Sequence, residues 1–436
     1  MKRIIYLVLP AFVFITACKK GEPPATPATD QSKTITLSID KTINDSTLVL
    51  KWSKYNRTNF TGYQLRRTSY GFTNGFYQST SITLKSFTNA DSLTYTERNM
   101  PYSDKILYSV SAFADSSAYS NIITYNRPNT VFLQALFSDA LIDRQNKILY
   151  LIYQNNGTIT AINYATNTLI KTGSVGVGVN FSGIGTFQGS TELYVPGNDG
   201  QLYIIDAATL ATKEKFATSG HINSVYQMDG KLFVAWTAAS YGDNTTSIRV
   251  YDRVTKQLIS STGYYNNTRL VWLPGTNYEF IEETANESPT QFQYYKFDSS
   301  GLSLSESTIT NYAVNPYDVS ILKAFPDGSR FIASSMGYVF TKNLVQETYI
   351  PNYISTDPNA KFSDFEINSA GSVIYCAEAS DRLINVMSYP SPKLLKTYNT
   401  VLYPSKLFID GNQLICVSKQ AGGASGYYID IEKFGL

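Results

Sequence analysis

Histidine is almost absent from this chain of 436 residues, which contains only His221. One histidine argues against histidine metal clusters, paired histidine acid–base catalysis and a Ser-His-Asp triad. Charged residues make up 16% of the chain, and the net charge is +2 without a run of one sign, so neither nucleic acid nor a polycation is an expected partner. No glycine-rich phosphate loop occurs between a strand and a helix.

Cysteine is also scarce, with three in the chain. Cys376 and Cys416 each lie within a predicted strand, at similar positions of consecutive repeats. We therefore expect neighbouring sheets to hold them apart as small buried residues, in neither a disulfide nor a metal site. Tyrosine, in contrast, is abundant, with 34 residues, and tyrosine favours the pleated, half-buried surfaces of a β-rich protein.

The third cysteine, Cys18, ends an N-terminal pattern. The apolar run Ile4–Ile15 is too short to cross a bilayer, which needs about 20 residues, but it follows Lys2 and Arg3 as the core of a signal peptide does. The run leads into the tetrad ITAC, which resembles the lipobox of bacterial lipoproteins. The resemblance implies that residues 1–17 are a cleaved lipoprotein signal peptide and that Cys18 carries a lipid anchor.

The next segment, residues 18–32, has no apolar period and is rich in Pro, Ala and Thr. This composition predicts a disordered, lipid-anchored tether that spans about 20 Å as a flexible coil. The anchor is therefore expected to be the only contact with the membrane.

Residues 33–127 alternate between apolar and polar side chains, and the alternation predicts about seven strands with one buried face. That number and spacing suggest a β-sandwich. Trp52 on an early strand and Tyr108 on the late strand KILYSVSAF resemble the core tryptophan and the tyrosine-corner residue of a fibronectin type III domain. The resemblance implies a spacer or weak adhesion module without a site of its own.

The segment Ile148–Ile170 reads as three strands separated by two polar turns, and variants of it recur six more times. The spacing is about 40 residues, which is the period of four-stranded propeller blades. Each cassette supplies strands B, C and D, and a preceding segment supplies the inner strand A. We therefore predict an all-β chain whose residues 130–436 form a seven-bladed β-propeller, with residues 131–136 closing the last blade. Closure removes open sheet edges.

The repeats, of which LYVPGNDGQLYIIDAATL is the best example, resemble propellers of the YVTN type and, more distantly, WD-repeat and quinoprotein-like propellers. This resemblance implies a fold but no function, because propellers host binding, scaffolding and several chemistries. The lipobox, tether, sandwich and propeller together resemble envelope proteins of Bacteroidota. That implies an outer-membrane lipoprotein, either periplasmic or surface-exposed.

The mouth of a propeller is formed by its D-to-A and B-to-C loops, and the first residue of each strand A should line it. Aligning these starts predicts a ring of seven residues. It consists of Asp139, Gly183, Ser224, Arg269, Asp318, Asp364 and Lys406. Arg269 or Lys406 would grip an anionic group in a mixed-charge site. Three aspartates could hold Ca²⁺, but the spacing of a Ca²⁺ loop is missing, so we expect no metal or other cofactor.

The D-to-A connections also contain tyrosine at about twice the chain-wide frequency. Tyrosines on exposed loops suit sugar rings and peptides. The tyrosines proposed as ligand-binding residues are Tyr264, Tyr265, Tyr317, Tyr353 and Tyr403. A solvated channel entrance that binds no ligand, with tyrosines that fill gaps between blades, would give the same pattern.

Three functions fit these features. The leading hypothesis is a lipid-anchored, non-enzymatic envelope protein whose propeller mouth binds a glycan or a protein. The second is a carboxylate-based glycosidase or lyase that uses a pair such as Asp318 and Asp364, since glycoside hydrolysis needs two carboxylates. The third is a structural component of an envelope assembly.

Overall fold

The computed structural model describes residues 34–44, 46–73, 76–101, 103, 105–125, 133–134, 137–238, 246–285, 290–309, 319, 321–352, 361–419 and 428–436. The predicted signal peptide, Cys18 and the tether therefore lie outside the described residues. Within these ranges the regular structure is entirely β, which confirms the all-β prediction. The described residues include no helix long and apolar enough to cross a membrane.

The chain forms two compact units. The first contains residues up to 68, 81–100 and 107–124, and the second contains 69–80, 101–106 and everything from 125 onward. The first eight strands are β1 (Leu37–Asn44), β2 (Thr47–Trp52), β3 (Gly62–Thr73), β4 (Phe76–Phe87), β5 (Thr94–Glu97), β6 (Lys105–Phe113), β7 (Ala118–Tyr119) and β8 (Ile123–Tyr125).

These strands form two sheets, in the orders β1-β2-β5 and β4-β3-β6-β7, with β8 also paired to β6. Trp52 of the first sheet packs against Tyr63 of the second, with 5.9 Å between ring centroids. Tyr108 is fully buried, and its hydroxyl donates a hydrogen bond to the sulfur of Met100 at 3.2 Å. The two predicted core aromatics are therefore buried. The likeness of this region to fibronectin type III stays a prediction.

Seven four-stranded antiparallel sheets follow, and we number them as blades 1 to 7. Blade 1 contains β10 (Asp139–Asp143), β11 (Ile148–Tyr153), β12 (Thr158–Asn163) and β13 (Thr168–Ser174); blade 2 β14 (Gly183–Phe187), β15 (Ser190–Pro196), β16 (Gln201–Asp206) and β17 (Thr212–Ala217); blade 3 β18 (Gly220–Met228), β19 (Lys231–Ala238), β20 (Ile248–Asp252) and β21 (Leu258–Thr262); blade 4 β22 (Thr268–Trp272), β23 (Glu279–Thr284), β24 (Phe292–Phe297) and β25 (Ser303–Ile309).

Blade 5 contains β26 (Leu322–Ala324), β27 (Arg330–Ala333), β28 (Tyr338–Thr341) and β29 (Gln346–Tyr349); blade 6 β30 (Phe362–Ile367), β31 (Val373–Glu378), β32 (Leu383–Ser388) and β33 (Leu394–Asn399); blade 7 β34 (Tyr403–Asp410), β35 (Gln413–Lys419), β36 (Tyr428–Gly435) and the earlier strand β9 (Leu133–Gln134). The inner strands of blades 7 and 1, β34 and β10, contact each other, so the sheets form a closed ring. This arrangement is a seven-bladed β-propeller.

Blade 7 is completed by a strand from far upstream in the chain. Its order is β34-β35-β36-β9, and Leu133 and Gln134 pair with Ile429 and Tyr428. β9 lies within residues 131–136, which the sequence assigns to this position. The outer edge of β36 is therefore covered. An uncovered strand edge presents unpaired N–H and C=O groups to which another chain can bind.

One backbone hydrogen bond recurs in all seven blades. The residue at the end of strand C, or just after it, donates its N–H to a carbonyl at the start of strand B or just before it, at distances of 2.8 to 3.2 Å. The donors are Tyr164, Ala207, Arg253, Phe297, Lys342, Tyr389 and Leu436. Several of these side chains reach the preceding blade. Tyr164 donates to Asp410, Lys342 pairs with Glu279, and Tyr389 donates to Glu347.

Arg253 makes the most buried of these contacts between blades. Its guanidinium, 2% exposed, pairs with Glu192, which is completely buried, at 2.9 Å. Glu192 also accepts hydrogen bonds from Lys213 at 2.7 Å and from Tyr194 at 2.7 Å. Because the charges are paired and hydrogen-bonded, the buried network avoids the large cost of an isolated buried ion. It joins blade 2 to blade 3.

Candidate functional site

We define the top face as the end of the ring at which each strand A begins. The B-to-C loops, such as the turn from Gln154 to Gly157, and the D-to-A connections lie on this face. Gly157 has a φ of 65°, and a Cβ there would lie 2.4 Å from Val175, so the tight turn requires glycine. The predicted site residues that the structure describes all lie on this face or at the channel entrance below it.

Two predicted ring residues meet across the junction of blades 7 and 1. Lys406 and Asp139 are 8% and 7% exposed, and the Lys406 ammonium lies 3.7 Å from Asp139 Oδ1. The same Asp139 oxygen accepts a hydrogen bond from the backbone N–H of Ala140 at 2.9 Å. The pair therefore joins the last blade to the first at the channel entrance.

Arg269 lies at the junction of blades 4 and 5. Its guanidinium donates to the carbonyl of Val319 and stacks on the ring of Phe181, 4.0 Å from the centroid. Phe181, not Gly183, is level with the other ring residues, because it forms a parallel bridge with Ser224 while Gly183 pairs two residues deeper with Tyr194. The aligned ring is therefore wrong at blade 2.

Asp364 and Ser224 each hold the next blade by its backbone. Asp364 Oδ2 accepts the N–H of Leu407 at 2.8 Å, and Ser224 Oγ accepts the N–H of Leu270 at 2.9 Å. Both side chains are less than one-tenth exposed. The described ring side chains thus already bind protein groups, and they stabilise the channel entrance.

A second charged group lies deeper in the channel and was not predicted. Lys323 of blade 5 forms an ion pair with Glu366 of blade 6 and also lies 5.8 Å from the ring of Phe408 in blade 7. Burial raises the pKa of the Glu366 carboxyl. Although burial opposes it, Glu366 and Asp364 raise the pKa of Lys323. Glu366 lies two positions after Asp364 on strand A and so on the same face of the strand, and alternation along that strand could have indicated this position.

An exposed tyrosine stands on a rigid base at blades 3 and 4. Tyr264 is 66% exposed, and its hydroxyl lies 3.4 Å from Glu306. The preceding Gly263 has a φ of 89°, and a Cβ there would lie 2.0 Å from Ser247 Oγ and 2.8 Å from the Tyr295 hydroxyl. Only glycine fits so closely over these groups, so the loop has a fixed position.

Glu282 lies beneath this loop and binds Ser247 and Tyr295, the two residues against which Gly263 packs. Its carboxylate accepts hydrogen bonds from Thr268 at 2.6 Å, Tyr295 at 3.0 Å and Ser247 at 3.1 Å. Burial disfavours the charged form and raises the pKa of Glu282 to about 7. The protonation state of the Glu282 carboxyl therefore changes near neutral pH.

Glu378 repeats the arrangement between blades 5 and 6. It accepts hydrogen bonds from the amides of Asn352 and Asn385, both at 2.6 Å, and burial raises its pKa to about 7. A third carboxylate, Glu432, accepts the N–H of Val401 at 3.0 Å. Two buried carboxylates, Glu282 and Glu378, and the partly buried Glu432 thus hold the bases of three top-face loops.

The other predicted tyrosines are dispersed. Tyr265 is partly exposed beside Tyr264, whereas Tyr403 lies at the start of strand A in blade 7 with the Arg382 guanidinium 5.4 Å from its ring centroid. Asp318, Tyr317 and Tyr353 lie outside the described residues, as does most of the long B-to-C loop of blade 3.

The remaining sequence candidates have ordinary surroundings. Cys376 and Cys416 are buried free thiols in blades 6 and 7, and burial raises the pKa of both. His221 is exposed within strand A of blade 3, opposite Thr237. Among the described residues, no group of three His, Cys, Asp or Glu side chains could hold a metal ion.

Comparison with known proteins gives no family. No family model and no curated protein matches the chain. Among solved structures, one similar chain is the β-propeller domain of Cps50 (Swd1) from Myceliophteria thermophila, with 8% identity and a TM-score of 0.46 over 70% of this chain and 99% of that one.

Proposed function

We propose that this protein is a non-enzymatic recognition protein of a bacterial envelope, anchored by lipid at Cys18, whose top face binds a glycan or a protein partner. The observation that carries the proposal is the presentation of Tyr264. Its side chain is 66% exposed, on a loop fixed over Ser247 and Tyr295. A rigid, exposed tyrosine offers flat apolar area and a polar tip at little entropic cost, as binding surfaces do.

The channel entrance supports binding more than catalysis. A carboxylate pair for hydrolysis must reach the substrate, but Asp364 is 7% exposed and bound to the backbone of Leu407. Asp139 is likewise engaged by Lys406. These contacts favour a rigid platform that presents loops.

Replacing Tyr264 with Ala tests the proposal. Purified full-length protein would be screened on a glycan array and in pull-downs from envelope extracts, and the ligand found would then be titrated. We expect Tyr264→Ala to weaken its binding about fivefold or more, because truncating an aromatic side chain that anchors an interface costs over about 1 kcal/mol.

Tyr119→Ala is the matched control. Tyr119 is 70% exposed, but it lies on β7 in the first unit, so its loss should leave the affinity unchanged. Full affinity in Tyr264→Ala, or the absence of any ligand in both screens, would contradict the proposal.

A further inference from the structure

A band of cations crosses the top face at blades 6 and 7, away from Tyr264. It consists of Arg382, Lys419 and Lys406 with Tyr403 among them, and we call these four residues the basic strip. Tyr403 and Lys419 are directly opposite in the pairing of β34 with β35. The Arg382 guanidinium lies 5.4 Å from the ring centroid of Tyr403.

The outer part of the strip has little counter-charge. Lys406 pairs with Asp139, but neither Lys419 nor Arg382 forms an ion pair with a carboxylate among the residues that the structure describes. Two exposed cations therefore stand next to a third, buried one.

Five further carboxylates lie on the neighbouring strands and turns. Three are buried: Asp364 accepts the backbone N–H of Leu407, Glu378 is bound by two asparagine amides, and Asp430 is 1% exposed. Glu432, which accepts the N–H of Val401, and Asp381, beside Arg382, are partly exposed. The solvent-facing balance of the strip is therefore positive, which attracts anions to the channel entrance.

We infer that the basic strip binds the acidic groups, carboxylate or sulfate, of an anionic polysaccharide. This inference rests on the proposed function and specifies its ligand. Arginine binds carboxylate or sulfate-like anions through a planar fork, lysine adds a point charge, and tyrosine provides a flat contact for a sugar ring.

A glycan suits this surface better than an extended acidic peptide. β35, which carries Lys419, is paired on both sides, by β34 and β36. It therefore offers no strand edge for a peptide to extend, which is a common mode of peptide recognition. Isolated charges around one aromatic ring instead match separate acidic groups on successive sugars.

The test measures binding of four polymers to full-length protein by biolayer interferometry at low and moderate salt. The probes are polygalacturonate, dextran sulfate, neutral dextran and poly-glutamate. We expect one or both anionic polysaccharides to bind with strong salt dependence. The double variant Arg382→Gln/Lys419→Gln should weaken that binding at least about tenfold, because it removes the two exposed cations of the basic strip.

The matched control is Lys393→Gln/Lys396→Gln, which removes two exposed charges from the outer part of blade 6 and should leave binding unchanged. Equal losses in both double variants, equal binding of dextran, or binding of poly-glutamate alone would overturn the inference. If a Tyr264-dependent ligand exists and no anionic polysaccharide binds, the inference fails while the proposed function stands. If Tyr264 has no ligand either, both fail.

Discussion

At the scale of single residues, polar side chains in this propeller mostly hold the protein together. Asp139, Arg269, Asp364 and Lys406 bind groups of a neighbouring blade at the channel entrance. Each of these four residues lies in strand A of its blade, Asp318 lies outside the described residues, and ligand binding by any of them stays a prediction. Their partners could not be predicted, because contacts between blades depend on three-dimensional strand positions that one sequence does not reveal.

Glu282 gives a prediction about pH at this scale. Its pKa of about 7 lies above the ordinary value of 4.5, so the folded state holds more protons between these pH values. The free energy of unfolding should therefore fall as the pH rises from about 4.5 to 7, by up to about 3 kcal/mol for this residue. Urea unfolding from pH 5 to 8 should show a shallower decline in Glu282→Gln than in the wild type.

Glu347→Gln is a control of opposite sign. Arg330 holds the pKa of Glu347 below its ordinary value, so that carboxylate loses its stabilising effect only as the pH falls below about 4.5. Between pH 5 and 8, Glu347→Gln should follow the slope of the wild type. A wild-type slope in Glu282→Gln would refute the role assigned to the buried carboxyl.

At the scale of elements, repeated alternation predicts most strands, but not their register. The segments DALID and GIGTF are strands with the expected bounds. Register shifts precede Ser224, Asp364 and Lys406, and such irregularities change which residue reaches the channel entrance. Blade 2 has no such shift; there the regular strand begins at Gly183, and Phe181 reaches the ring level through an isolated bridge that the alternating pattern does not indicate.

The closing strand β9 makes a second prediction. Gln134 and Tyr428 are directly paired, and Cα atoms in such pairs are about 4.5–5.5 Å apart, within the range of a disulfide. Gln134→Cys/Tyr428→Cys should form a disulfide under oxidising conditions and raise the thermal midpoint, since linking so distant residues stabilises by up to about 5 kcal/mol. Non-reducing electrophoresis and thermal unfolding measure both effects.

The corresponding single variants are the controls, because they should show no shift between reducing and oxidising conditions. A double variant whose two new thiols stay free after oxidation would contradict the pairing of β9 with β36. Formation of the bond without any gain in the thermal midpoint would show that closure adds no stability.

At the scale of the whole molecule, the sequence predicts a location at the membrane as well as a propeller fold. If Cys18 carries lipid, Cys18→Ser should move the protein from the membrane fraction to the soluble fraction. Cell fractionation with immunoblotting measures this change. Cys376→Ala is the control, because it removes a buried thiol of blade 6 and should leave the protein with the membrane. An unchanged distribution of Cys18→Ser would refute the anchor.

Closure by β9 also has a consequence for biosynthesis. Leu133 and Gln134 leave the ribosome about 300 residues before their partners in β36, a delay of roughly 15–60 s at ordinary rates of translation. During that time blade 7 cannot be completed, and a nascent or prematurely terminated chain exposes unpaired strand edges. Such products are targets for chaperones and proteases, so translation that stops before β36 yields an incomplete chain that is degraded rather than a smaller folded propeller.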